Sequence, residues 1–385
     1  MKKEPTLPKV KDFLDYMDNW APAWLAESWD RVGLFSGAAG QTVSKAWVCL
    51  EASPQVLEQA ILQNADLILA HHPPFLKPLA DLRADRPELA PLLKAAAAGV
   101  AVFAAHTNLD AAVGGVNDCL ANALGLANTK PLEPAGEDGL LKLVVFVPPD
   151  QADRVARVLF EAGAGRVGDY RECGFSLAGQ GSFLAPPDGN PFLGRPGERE
   201  KVDETRLETV LPAVASSRVI RSLLAVHPYE EPVFDLYPVR QGPAGVGLGR
   251  VGDLAQPMPL GDFLAMAAGK LKAKAPLAAG AISGPVSRVA VLGGSGGGYL
   301  SAAAAAGAQV LVTGEAGYHA GQQAEALGVC LVTLGHYQTE AVVIEPWAAK
   351  LGEMLARRGF TCVVEPYPAP TDPWQRLAEI QEDIP

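Results

Sequence analysis

The chain holds six histidines, His71, His72, His106, His227, His319 and His336, in 385 residues. Imidazole titrates near neutrality and is a frequent ligand of divalent transition ions, so the placement of these six is the first chemical question. His71 and His72 directly follow an apolar run at 67–70 and are stopped by Pro73 and Pro74. Successive strand residues point to opposite faces, so the two rings can share a site only if the strand has broken into a turn; Pro73 predicts that break. A second group, His106-Thr107-Asn108-Leu109-Asp110, again lies just beyond an apolar run, although Asn and Asp are also ordinary turn formers there. The third group is Gly335-His336-Tyr337-Gln338-Thr339-Glu340. If a helix opens here, His336 and Glu340 stand one turn apart on one face and can hold the same cation. A glutamate in a first helical turn is equally favoured by the helix dipole.

Together these segments offer His71, His72, Asp110, His336 and Glu340 at strand ends, where open α/β sheets bind ligands. The absence of cysteine from the set argues against a structural zinc site. Five ligands exceed the needs of one tetrahedral ion. They point to two divalent cations (Zn, Fe, Mn or Ni) sharing a carboxylate, with positions left for water. Such a pair lowers the pKa of bound water and clamps a reacting oxygen. His106 is the candidate for proton transfer. His319 is read as a cavity neighbour, and the cluster His227-Pro228-Tyr229-Glu230-Glu231 as a strand-edge or subunit contact.

Residues so far apart need a framework to bring them together. Apolar runs at 46–50, 67–70 and 100–105 predict strands. Helices are expected at 54–63, where Ser53-Pro54 gives a cap and first position, at 87–98, and at 116–124 before Gly125. The alternation resumes from Leu248, with strands at 287–292, 309–313 and 330–334 and helices after Gly298, at 317–327 and at 337–357. Buried strands separated by helices predict a parallel or mixed sheet covered on both faces. Between them, 141–239 reads β-α-β-β-α-β, a ferredoxin-like order, with an exposed loop at 186–197 and linkers at 130–139 and 241–247. Residues from Pro366 onward read as a loosely packed tail. Two similar α/β halves around a different middle unit suggest one discontinuous domain with an insertion.

Composition narrows the functions. With 49% hydrophobic and 19% charged residues the chain is globular rather than disordered. A net charge of −11 repels phosphate backbones and anionic lipid, so nucleic acid is disfavoured as a partner. The five widely spaced cysteines form no Cys-x-x-Cys pair, which fits a reduced, cytoplasmic setting. Residues 289–314 are uncharged and long enough to span a bilayer, but they contain seven glycines and read as strand, turn, helix, strand; no membrane span is expected. The run Gly293-Gly294-Ser295-Gly296-Gly297-Gly298 completes neither a dinucleotide nor a P-loop fingerprint and reads as a close strand–helix turn.

Four strings, Glu-Ser-Trp-Asp-Arg-Val-Gly-Leu (27–34), His-His-Pro-Pro-Phe (71–75), His-Thr-Asn-Leu-Asp-Ala-Ala-Val-Gly-Gly-Val-Asn-Asp (106–118) and Gly-His-Tyr-Gln-Thr-Glu (335–340), resemble the GTP cyclohydrolase I type 2 homolog, or Nif-three-like, family. The likeness runs from about residue 10 to residue 365. It implies a Nif-three-like α/β domain in two similar halves, 1–130 and 246–370, a CutA-like insertion at 131–245 marked by His-Pro-Tyr-Glu-Glu-Pro (227–232), and a tail at 371–385. It further implies two divalent metals on His71, His72, Asp110, His336 and Glu340, and a ring-shaped homohexamer with the metals facing an interior cavity. Three positions depart from the family pattern: Arg31 replaces Asn, Pro74 replaces an aliphatic residue, and Glu315 stands where a Gly-Asp pair is usual. The expected activity is metal-dependent hydrolysis of a nucleotide or related small molecule, including opening of the guanine imidazole ring of GTP. The competing reading is a non-catalytic metal-binding or regulatory scaffold.

Overall fold

The strands Lys45–Glu51, Leu67–His72 and Ala101–Ala104 consist almost wholly of buried residues. A strand buried on both faces belongs inside a parallel sheet, and these three lie side by side and parallel. Val363–Pro366 adds a fourth parallel strand and Gly33–Ser36 an antiparallel edge. The structure is a computed structural model that describes residues 6–135, 140–168, 170–239 and 245–374. Its chain divides into two units, Met1–Pro134 with Gly245–Pro385, and Ala135–Ala244.

A second sheet in the first unit repeats the parallel core. Val286–Ser295, Val310–Glu315 and Cys330–Thr333 run parallel, with Leu277–Ala279, Arg250–Met258 and Leu126–Lys130 added antiparallel. The two sheets do not each close on their own half of the sequence. Leu120, Ala121, Leu124 and Leu126 pack with Val289, Val291, Val310 and Val312 in one core. The 116–124 helix and the strand after it therefore belong to the second sheet, although they precede the inserted unit in sequence.

Local chemistry explains the element ends. The Ser53 hydroxyl accepts the Val56 amide at 3.3 Å, capping the helix Pro54–Leu62. Gly125 closes Val116–Leu124 in the left-handed conformation at φ +79°. Three expectations change. The strand expected to stop at residue 70 continues through both histidines to His72. The helix expected at 87–98 spans Ala90–Ala97. The helix expected at 337–357 is split into His336–Glu340, a 3-10 turn Ala341–Val343, and Ile344–Arg357. The last of these is amphipathic and packs on the strands Lys45–Glu51 and Val363–Pro366.

The second unit follows the β-α-β-β-α-β order, with Phe234–Pro238, Leu140–Val147, Arg199–Pro212 and Gly174–Leu184 side by side. Its two helices, Ala152–Glu161 and Ser216–Val226, bury Val155, Leu159, Val219 and Leu223 against Leu143, Val145, Leu207 and Leu211. Parts of the expected linkers, 136–139 and 240–244, and of the tail, 375–385, lie outside the described residues. Among the described residues no helix is long and apolar enough to cross a membrane.

Candidate metal centre

The carboxyl ends of the two parallel cores carry the chemistry. His71 is fully buried, and its Nδ1 lies 2.9 Å from the Ala105 carbonyl oxygen. A carbonyl only accepts, so the proton sits on Nδ1 and Nε2 keeps its lone pair. His72 is the last residue of its strand, and its ring lies 4.9 Å from the His71 ring. The site is therefore shared without the break in the strand that the alternation rule had required. His72 Nδ1 meets Glu51 Oε1 at 3.2 Å, and His106 Nδ1 meets Asp30 Oδ1 at 2.8 Å. His336 Nδ1 faces Glu315 Oε1 at 3.3 Å. Three imidazoles thus have Nδ1 held by an oxygen behind the ring, and the fourth, His336, faces one.

The other nitrogens converge. Glu340 Oε1 is 3.2 Å from His336 Nε2 and 3.9 Å from His71 Nε2, while its Oε2 is 3.0 Å from His72 Nε2 but off the hydrogen-bonding direction. Asp110 Oδ1 is 3.7 Å from His71 Nε2. His71, His72 and His106 each place a nitrogen within 4.8 Å of the others, as do His72, His336 and a Glu340 oxygen. His71 Nε2, Asp110 Oδ1 and Glu340 Oε2 are buried without a hydrogen-bond partner. Buried polar atoms are nearly always paired. Separations of 3.7 to 3.9 Å are too long for hydrogen bonds. Ligands about 2.1 Å from one tetrahedral ion stand roughly 3.4 Å apart, so the orphaned atoms fit a cation between them.

The imidazoles and carboxylates shift one another's proton affinity. Burial pushes His71 down to about 3, keeping it neutral. Burial also opposes charge on His72, but the Glu340 and Glu51 carboxylates facing its two nitrogens lift it to about 10. Hydrogen bonding to Glu340 raises His336. Burial and the neighbouring Glu340 charge hold Asp110 well above the carboxylate range. Glu340 lies below that range despite its burial, because the His336 and His72 imidazoles face its two oxygens. Asp30 is held at about 2 against its burial by hydrogen bonds from His106 and Thr107.

Two features escaped the residue-by-residue reading. The helices Thr107–Ala111 and His336–Glu340 both follow the third strand of a parallel core. Both carry a histidine and an acid four residues apart, His106 with Asp110 and His336 with Glu340. That shared spacing was the available signal that His106 lies among the candidate ligands, and one of its nitrogens comes within 4.8 Å of those of His71 and His72. The glycine run also serves the centre. At Gly294, φ is +65° and a Cβ would come within 2.2 Å of Glu340 Oε1, so only glycine lets the strand end pass beneath that carboxylate. Gly293 donates its amide to Asn117 Oδ1 at 2.9 Å, and Asn117 Nδ2 donates to the Asp110 carbonyl at 3.0 Å. Of the departures, Glu315 is the oxygen behind His336. Arg31 is exposed, its amide bonding Asp30 Oδ1 at 2.7 Å, and Pro74 is half-buried.

The remaining histidines stand apart. His319 is exposed beside Gln322 Oε1 at 3.1 Å. His227, in the second unit, is buried; its Nε2 donates to the Phe146 carbonyl at 3.0 Å and its Nδ1 accepts the Tyr229 amide at 3.1 Å. Both of its nitrogens are satisfied.

Paired parallel-cored sheets that gather histidines and carboxylates at their carboxyl ends define a protein able to hold metal. The chain belongs to the Duf34/NIF3 (NGG1p interacting factor 3) family, whose pattern it matches over residues 8–373. It is 40% identical over 350 residues to the GTP cyclohydrolase 1 type 2 homolog of Bacillus subtilis, covering 91% of this chain and 94% of that one. Among solved structures it resembles a Bacillus cereus protein related to NIF3, at 35% identity and TM-score 0.67 over 97% of this chain and 100% of that one. It also resembles Staphylococcus aureus protein SA1388, at 29% identity and TM-score 0.69 over 96% and 99% of the two chains.

Proposed function

We propose that this protein binds two divalent transition ions, of the Zn, Fe, Mn or Ni kind, and uses them in cytoplasmic hydrolysis of a nucleotide or related small molecule. What supports the reading is the common design of the four imidazoles: an oxygen acceptor behind Nδ1 and a space in front with unpaired buried oxygens. His71, His72, Asp110, His336 and Glu340 would hold the ions, with Glu340 facing three of the imidazoles. A bound pair supplies Lewis acidity toward a substrate oxygen. Asp30 and Glu51 orient the His106 and His72 rings, Glu315 faces His336, and His106 is the group placed to move a proton. We read residues 131–245 as a CutA-like module inserted into a two-part domain, 1–130 and 246–370, with a tail at 371–385, assembled as a hexameric ring.

Metal content per chain after loading and desalting tests the centre: about two ions are expected for the wild type and fewer for Asp110→Ala. A wild type that stays free of metal in excess zinc or manganese sinks it. Turnover of GTP by loaded protein, lost in His336→Ala, supports the hydrolase. Intact GTP and an intact panel of nucleotides and phosphoesters, with metal still bound, would favour the non-catalytic scaffold.

A further inference from the structure

The strand Val363–Pro366 runs parallel to Lys45–Glu51, with Pro366 beside Val48. The Tyr367 amide extends the ladder to the Val48 carbonyl at 2.8 Å, and its ring meets Trp47 edge-on at 5.2 Å. Parallel pairing fixes where the chain goes next. It must leave at the carboxyl end of the sheet, where Glu51 and His72 sit.

Residues 371–374 are then tied down more firmly than a loose terminus requires. The Thr371 hydroxyl donates to Glu51 Oε2, while Glu51 Oε1 faces His72 Nδ1 at 3.2 Å. Asp372, with its side chain 5% exposed, accepts from Gln338 Nε2 at 2.9 Å and pairs with Lys274 Nζ at 2.9 Å. Lys274 also donates to the Trp374 carbonyl at 2.6 Å. Tyr337 and Gln338 lie between His336 and Glu340 on one short helix. The segment thus grips the carboxylate behind one candidate ligand and the helical turn that carries two more. These contacts offset the entropy cost of ordering the segment beside the centre.

We propose that residues 371–374 are a strap that positions the metal centre, Thr371 fixing Glu51 against His72 and Asp372 fixing the turn that bears His336 and Glu340. The proposal rests on the metal-binding reading above. Because coupling between two events is reciprocal, strap closure and metal binding strengthen each other by one factor.

Calorimetric titration of chelator-stripped full-length protein with manganese tests it. Thr371→Val and Asp372→Asn are each expected to weaken binding about 10–100-fold, the usual cost of losing a group that orients a ligand. Thr371→Ser, which keeps the hydroxyl, should restore the wild-type affinity. Wild-type affinity in both Thr371→Val and Asp372→Asn, with Glu51→Gln impaired, overturns the strap alone. A wild type that takes up no manganese removes the metal reading and the strap with it. Amide exchange of 371–374 by mass spectrometry decides independently of any variant's folding: it should slow on adding manganese to the wild type, and exchange indifferent to metal rejects the proposal.

Discussion

Asp110 and Asp118 lie eight residues apart in one segment and are both largely withdrawn from water, yet their surroundings are opposite. Asp118 receives Arg250 Nε at 2.6 Å on one oxygen and Nη2 at 2.9 Å on the other, and the Gly114 amide as well. Arg250 spends its other donors on the carbonyls of Gly247 and Gly249 at 2.7 Å and Ala112 at 3.2 Å. Asp110 faces a second carboxylate and a neutral imidazole, with Oδ1 unpaired. A two-pronged guanidinium makes a buried carboxylate part of the framework. A buried carboxylate left short of positive charge is a ligand kept ready.

The contrast can be broken from either end. Arg250→Met strands the Asp118 charge and should cost about 3–5 kcal/mol in urea unfolding; a loss below about 1 kcal/mol would mean that the pair is not structural.

Asp110→Asn should do the reverse in metal-free protein. Its folded pKa lies above the unfolded value, so the folded state holds the proton more tightly, and stability is lost as pH rises above about 4. Removing the charge should leave unfolding at pH 7 unchanged or harder, while elemental analysis finds less metal. A clear destabilisation would place Asp110 with Asp118.

Asp30→Asn sharpens the comparison at a carboxylate that orients a ring rather than facing a cation, and metal affinity should fall about 10–100-fold. Asp30 is held at about 2, so its contribution to stability is present above the unfolded value near 3.8 and lost as pH falls toward 2. The acid limb of the stability profile should therefore flatten in the variant; an unchanged limb counts against the His106 contact.

The smallest effect belongs to the exposed pair Arg357 and Glu353, 3.4 Å apart. Arg357→Ala should change unfolding by no more than about 0.5 kcal/mol.

Much of the framework was legible because burial writes itself into composition. The runs around Val48, Leu69 and Val312 are apolar, as strands buried on both faces of a covered parallel sheet are. The pairing of His336 with Glu340 was legible because helical periodicity turns a spacing of four into one face. The role of the glycine run was not. Gly293 and Gly294 look like any tight turn until Glu340 is seen above them. Nor was the contact of His71 with His72, since a rule about strand faces says nothing of a ring at the strand's free end.

The sequence by itself determined which side chains are candidates to bind a cation, which stretches are strands or helices, and where the β-α-β-β-α-β unit interrupts the rest. These follow from residue chemistry and from periods of two and 3.6 residues, both local properties. Tertiary structure alone decided that helix Val116–Leu124 serves the second sheet, that Arg250 clamps Asp118 across the insertion, and that four imidazoles turn one nitrogen outward and one inward. Those are choices among partners far apart along the chain. Local periodicity does not rank them; packing and the pairing of buried polar atoms do.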